Sequence, residues 1–333
     1  MAISDKEQSE ILDNILGLNN DERIKFYSQI FNNNCFKNSE GEIKISNGAF
    51  YNSDKVKENI EYIKQISKTY TEGYKLSYKK DFKFILEWID NSLKEKNCLS
   101  EENFTEKDGI SLLLFSSLYF QQRWNKEFID SETYKDIFHI GNNTNKEVDF
   151  MKHSYSIDYY YDYDNYISFY DYYSNNYSIQ YIVPKSLNCN ILELIDGVNF
   201  LFENDTNKKN ISLIKLSVPK FKLKNNVNFI PVLKNLGLEK IFNKKYSTLN
   251  NPFIINENYN YYLKDIIQKN IIELNEDGTT IKSISLGIIS SYGMHGNIFD
   301  ELEVKLDQPF IYIIRDKYKL PIFIGYIKEP KYN

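Results

Sequence analysis

Residues Ile110–Phe120 read ISLLLFSSLYF. A nearly unbroken apolar run of this length is expected to form a strand covered on both faces, the middle of a large sheet. Upstream of it the chain reads as helical. Lys6–Leu16 and Glu22–Phe31 place Ile11 and Ile15, then Ile24, Tyr27, Ile30 and Phe31, at three-to-four spacing. Segments 54–69 and 80–96 are the clearest amphipathic helices, the second with Phe82, Ile85, Leu86, Ile89 and Leu93 on one stripe. Between these pairs, Glu42–Tyr51 starts with strand-like alternation at Ile43 and Ile45.

Downstream of the run the pattern changes to short alternating segments at 133–140, 146–153, 156–163, 166–172 and 177–183, punctuated by turns such as Gly141–Asn143 and Ser174–Asn176. A helical stretch at 190–203 follows, then strands over 210–223 that include Pro219, a helix near 229–236 and a long strand at 262–275. Residues 277–300 are rich in Ser and Gly and too long for an ordinary connection; loops of that size are usually functional or disordered. Two apolar strands, 309–315 and 321–327, end the chain. No repeat and no clean linker interrupts it, so a single α+β domain over 1–333 is expected.

The 333 residues carry 41 Lys and Arg against 46 Asp and Glu, a net charge of −5, with no basic footprint for nucleic acid. No stretch approaches the ~18 apolar residues of a membrane span, and the first residues, MAISDKEQSE, hold no export signal. Cys35, Cys98 and Cys189 are odd in number and widely spaced, which points to a reducing compartment, the cytoplasm; secretion stays open if a natural chain begins earlier. His139, His153 and His295 lack any triad or ligand spacing and read as surface or packing residues, and Asp162–Asp164 reads as a solvated strand end. No enzyme chemistry, metal or cofactor is expected.

Four segments, in order and over about 215 residues, resemble the serpin family. Ser116–Phe128, SSLYFQQRWNKEF, is similar to the family's strand with its Trp and the Phe four residues on; Val218–Leu223, VPKFKL, to its Pro-Lys-Phe strand; Asn275–Thr279, NEDGT, to its hinge; and Val304–Ile314, VKLDQPFIYII, to its signature, with Phe323–Gly325 and Pro330 following. The resemblance implies a large mixed main sheet, two further sheets, N-terminal helices and an exposed reactive-centre loop at 277–300. It implies a monomeric suicide substrate for a serine or cysteine endopeptidase, in which the cleaved loop inserts as a new central strand of the main sheet. The competing expectation is a non-inhibitory or degenerate binding protein on the same fold. The Cys-poor composition is similar to that of intracellular serpins of poxviruses, which implies a host cytoplasm and a role in viral immune evasion.

Carried over position by position, Glu276 and Asp277 end the long strand, Gly278 is the hinge glycine and Thr279 the first inserted residue, with Ile281, Ser283 and Ser285 following on the inward face. Ser283 and Ser285 suit a stretch that relatives fill with small residues; Ile281, Lys282 and Ile284 depart from it. Counting fifteen residues from the hinge glycine puts the reactive bond at Tyr292–Gly293, a site for a chymotrypsin-like protease. In the sheet-opening region, beside Trp124, Ser116 stands where relatives have Asn, and Gln268 where they have His. Lys6–Leu16 is similar to the family's third helix, so the first two helices have no counterpart, and sheet surface they cover is expected to be exposed.

Overall fold

The computed structural model describes residues 3–332 apart from 4, 35, 53–56, 58, 68–70, 77, 100–111, 142–143, 188, 191–204, 247–248, 250–253, 255–261, 264–265 and 280–299. In chain order the helices are α1 (Lys6–Leu16), α2 (Asn20–Asn34), α3 (Ile60–Ser67), α4 (Tyr78–Leu93) and α5 (Ile230–Asn235). The strands are β1 (Phe36–Asn38), β2 (Gly41–Asn52), β3 (Thr71–Leu76), β4 (Leu112–Arg123), β5 (Tyr134–Gly141), β6 (Thr144–Ser156), β7 (Tyr159–Asp162), β8 (Tyr166–Tyr172) and β9 (Ser178–Pro184). They continue with β10 (Lys208–Asn210), β11 (Leu213–Pro219), β12 (Phe221–Asn228), β13 (Ile266–Leu274), β14 (Gly278–Thr279), β15 (Glu301–Lys305), β16 (Phe310–Arg315) and β17 (Pro321–Ile327).

These form three sheets. The largest runs β1-β2-β4-β13-β12, with β3 paired to β2 and β14 to β4; the second runs β10-β7-β8-β9-β16-β17; the third β15-β11-β6-β5. The chain divides into two units: residues 1–37, 42–120 and 224–271, and residues 38–41, 121–223 and 272–333.

In the first unit, local chemistry sets the helix ends. Asp5 accepts from the Gln8 amide to start α1, and Gly17, at φ 64°, ends it in the left-handed region that favours glycine. Asn19 caps α2 through its side chain while Glu22 reaches back to the Asn19 amide, a reciprocal cap. The apolar stripe of α4 falls as the spacing predicts: Phe82, Ile85, Ile89 and Leu93 form one core with Phe50, Leu113 and Phe115. Burying four such side chains contributes on the order of 1.5–3 kcal/mol each before entropy is subtracted.

Strand β4 departs from the expectation of two covered faces. Leu113, Phe115 and Ser117 are buried on the α4 side, but Ser116, pointing the other way, is exposed. Strand β3 carries no strong apolar signal in TEGYKL; its parallel pairing with β2, Asn47 to Thr71 through Asn52 to Leu76, holds it. Expected segment 210–223 is two strands, because Pro219 has no amide hydrogen to continue the ladder and closes β11. Most of the helix expected at 190–203 lies outside the described residues.

The second unit holds the other two sheets. All six residues of β16, FIYIIR, are buried between β9 and β17, as a run without alternation should be. In the third sheet, β11 lies between β6 and β15, antiparallel to the first and parallel to the second.

Candidate functional site

At the end of β13 the chain reverses in two residues. Asn275 and Gly278 exchange backbone hydrogen bonds of 3.0 and 3.2 Å across Glu276 and Asp277. The returning chain then pairs antiparallel with β4, Gly278 opposite Arg123 and Thr279 opposite Gln122. Only glycine serves at 278, for two reasons. Its φ is 133°, and a Cβ there would lie 2.1 Å from the Gln122 carbonyl oxygen.

The reversal is clamped on its carbonyl side. The Trp124 indole N–H donates to the Asn275 carbonyl at 2.8 Å. The Phe128 amide donates to the Glu276 carbonyl at 3.2 Å, and the Trp124 amide to that of Asp277 at 3.3 Å. Trp124 is 2% exposed, stacked on Tyr173 at 4.5 Å and edge-on to Phe128 at 5.4 Å, so the clamp is packed as well as bonded. Asn125 is held in turn by the Tyr172 carbonyl, which its amide meets at 2.8 Å.

The Glu276 carboxylate anchors the turn from the other side. Lys220 Nζ lies 3.0 Å from Oε1 and 2.7 Å from Oε2, and the Thr133 hydroxyl donates to Oε1 at 2.7 Å. Burial by itself would push the Glu276 carboxyl up; the bonds from Lys220 and Thr133 outweigh it and hold the group below its ordinary range. Burial likewise works against the Lys220 ammonium, and Glu276 with Tyr332 raises it all the same. The Tyr332 ring sits 4.8 Å from that ammonium. Asp277 goes the other way: burial first, then the charges of Asp130 and Glu276, push its carboxyl up against the opposing charges of Arg123 and Lys220.

Among the described residues, Gln122 Nε2 and Asn275 Oδ1 are buried here without a hydrogen-bond partner. Each costs about 1–3 kcal/mol where it stands.

In the first unit, Ser116 and Gln268 are brought opposite each other, in parallel register on β4 and β13. The buried hydroxyl pair beside them was not foreseen: Ser117 Oγ donates to Ser92 Oγ at 3.0 Å, and Ser92 Oγ to the Ile89 carbonyl at 2.8 Å. A serine within the apolar stripe of 80–96 was the signal available. Of the other expected site residues, Glu276, Asp277, Gly278, Thr279 and Trp124 gather at the reversal, while Ile281, Ser283, Ser285, Tyr292 and Gly293 lie outside the described residues. Thr133 joins the site without having been singled out, while Lys220 and Phe128 come to it from the motifs VPKFKL and SSLYFQQRWNKEF. Among the described residues no three His, Cys, Asp or Glu side chains could hold a metal ion, and no helix is long and apolar enough to cross a membrane.

Comparison with known proteins follows the same line. The family model "Serpin (serine protease inhibitor)" matches residues 3–330. Serpin-Z10 of Arabidopsis thaliana is 27% identical over 241 residues, 71% of this chain and 61% of its own length. Serine proteinase inhibitor 1 of Variola virus is 30% identical over 225 residues, 64% of this chain and 57% of its own. The chain thus spans about six-tenths of the length of such curated relatives. The native structure of Tengpin, a thermophilic serpin, superposes with a TM-score of 0.83 at 21% identity, over 98% of this chain and 83% of that one.

Proposed function

The chain belongs to the serpin family, and from that premise we propose that it is a single-use inhibitor of an endopeptidase, cut in the 277–300 segment and closing on the enzyme by strand addition. One observation carries the reading. The first residues of that segment, Gly278 and Thr279, are already paired to the end of β4. Inserting the cleaved loop as a central strand of the main sheet is the family's known mode, and here the hinge glycine and the first residue to be inserted are already paired with β4.

In this reading the protease attacks the bond between Tyr292 and Gly293, and the tyrosine side chain suits the deep apolar primary pocket of a chymotrypsin-like enzyme. The freed upstream half then extends β14 along β4. On the order of ten ladder hydrogen bonds at about 1 kcal/mol each drive the step. The protein acts as a stoichiometric trap over its whole length, a monomer working in the cytoplasm. Support for that compartment comes from the odd number and wide spacing of Cys35, Cys98 and Cys189 in the sequence.

The test is incubation with a chymotrypsin-like protease followed by denaturing electrophoresis. An SDS-stable adduct, with the remaining serpin cut after Tyr292, is the expected result. Cleavage at that bond without any adduct, whatever the protease, favours the second reading, a non-inhibitory member. Ile281, Lys282 and Ile284 are the residues that favour it, being bulky where an entering strand needs small ones.

A further inference from the structure

In the second unit a histidine and a carboxylate are buried against the back of the clamp. His153 on β6 and Asp171 on β8 have side chains 2% and 3% exposed, with Nε2 and Oδ2 3.0 Å apart. The other ring nitrogen, Nδ1, lies 3.1 Å from the Lys126 carbonyl oxygen. Lys126 sits between Trp124 and Phe128, the residues whose amides hold Asp277 and Glu276. The imidazole is stacked on the Phe128 ring at 3.7 Å. Asp171 Oδ1 accepts from the Tyr172 amide at 2.8 Å, and the Tyr172 carbonyl accepts from Asn125. A closed circuit results, from Lys126 through His153, Asp171 and Tyr172 back to Asn125.

Both ring nitrogens therefore face acceptors. A carbonyl can only accept, and so can a carboxylate, so two hydrogens are needed for both contacts to be bonds. An imidazolium beside a carboxylate supplies them, and so does a neutral imidazole beside a carboxylic acid. Either way the pair holds one proton more than a neutral imidazole and a carboxylate, and its net charge is zero. Losing that proton leaves a lone pair facing an acceptor and an uncompensated negative charge in a buried place.

We propose that His153 and Asp171 are positioning residues for the clamp, and that the proton they share decides how firmly Trp124–Phe128 holds the hinge. With the proton the circuit is closed and the hinge is held. As pH rises and the proton leaves, the Lys126 carbonyl or Asp171 loses its donor, and the segment loosens. The titratable groups facing the pair do not compete for this role. The Tyr155 hydroxyl donates to the Tyr170 carbonyl, burial pushes the Tyr155 and Tyr181 hydroxyls up, and the Lys126 ammonium is turned to the Ser154 carbonyl. Tyr172 meets Asp171 through its backbone amide, and its ring carries the Lys319 ammonium at 5.1 Å.

This deepens the inhibitor reading, yet its test needs no protease and no cleavage. The uncleaved full chain is followed by NMR between about pH 5 and pH 9, recording the His153 imidazole and the exchange protection of the Trp124 and Phe128 amides. Protection, corrected for intrinsic exchange, should fall by ~10-fold or more as His153 loses its proton. Asp171→Asn should keep protection high and flat, since the side-chain amide it introduces donates to Nε2 and leaves Nδ1–H for Lys126. His153→Ala should be poorly protected at every pH. Flat protection in the wild type, an unchanged slope in Asp171→Asn, or a His153 that does not titrate in this range would overturn the proposal. A proton-dependent clamp in a protein that forms no adduct would instead refute the inhibitor reading alone.

Discussion

Lys220 Nζ lies 2.7 Å from a Glu276 carboxylate oxygen, joining residues 56 positions apart at the point where β13 turns back. Lys220 follows the proline that ends β11, and Glu276 is the first residue of the two-residue turn. The ion pair thus ties the hinge to the β11–β12 junction through side chains that are 18% and 11% exposed.

Removing one partner of such a pair strands the other. Glu276→Gln and Lys220→Met are each expected to lower unfolding free energy by about 2–4 kcal/mol, and the double variant by clearly less than the sum. Urea unfolding of all four proteins measures the coupling. Additive losses would show that the pair contributes no interaction energy.

The acid limb of stability should carry two opposed contributions. The Glu276 carboxyl is lowered from its ordinary 4.5, so its contribution is present above that value and is lost as pH falls through the lowered one. Asp277 is raised from 3.8, so its contribution is present below that value and is lost as pH rises through the raised one. Glu276→Gln should flatten the loss of stability on acidification, and Asp277→Asn should stabilise the protein near neutrality. Thermal midpoints between about pH 3 and pH 7 report both, and identical profiles in all three proteins would count against this assignment.

Gly278→Ala combines a forbidden backbone angle with a contact no Cβ can make. It should cost about 1–3 kcal/mol and release β14 from β4. The amides of Thr279 and of its neighbours on β4 would then exchange faster. A variant with unaltered melting and exchange would mean that the returning chain is not paired in solution.

The bulky residues after the hinge bear on rate more than on equilibrium. Forcing extra methylenes into a filled layer costs ~1–3 kcal/mol per site, less in total than ten ladder bonds contribute. Cleavage after Tyr292 should therefore raise the melting temperature of the wild type. The triple change Ile281→Ala, Lys282→Ala, Ile284→Ala should lower the number of inhibitor molecules cut per protease trapped. An unchanged melting point after verified cleavage, in both proteins, would sink strand insertion for this chain.

Elements with strong periodicity were legible in the sequence: α1 at Lys6–Leu16, β8 at Tyr166–Tyr172 and β17 at Pro321–Ile327 fall where the pattern puts them. The polar strand β3 was not, because its partner β2, not its own composition, holds it. At the site, Gly278 and Trp124 stood out through motifs. The Glu276–Lys220 bond and the His153–Asp171 pair did not, since acids and lysines are plentiful here and only tertiary register selects among them. Reading the histidines as surface or packing residues left open which they were; His153 is buried, and its partners carried no signal in the sequence.

The two-residue turn at Glu276 and Asp277 also works as a ruler. It sets Gly278 opposite Arg123 and Thr279 opposite Gln122, and with them the register in which antiparallel pairing with β4 begins. Among the described residues, β13 keeps hold of β4 only up to Asn270 at Leu118. Lengthening the turn by a single residue would slide that ruler one notch and turn every following side chain to the opposite face of the sheet.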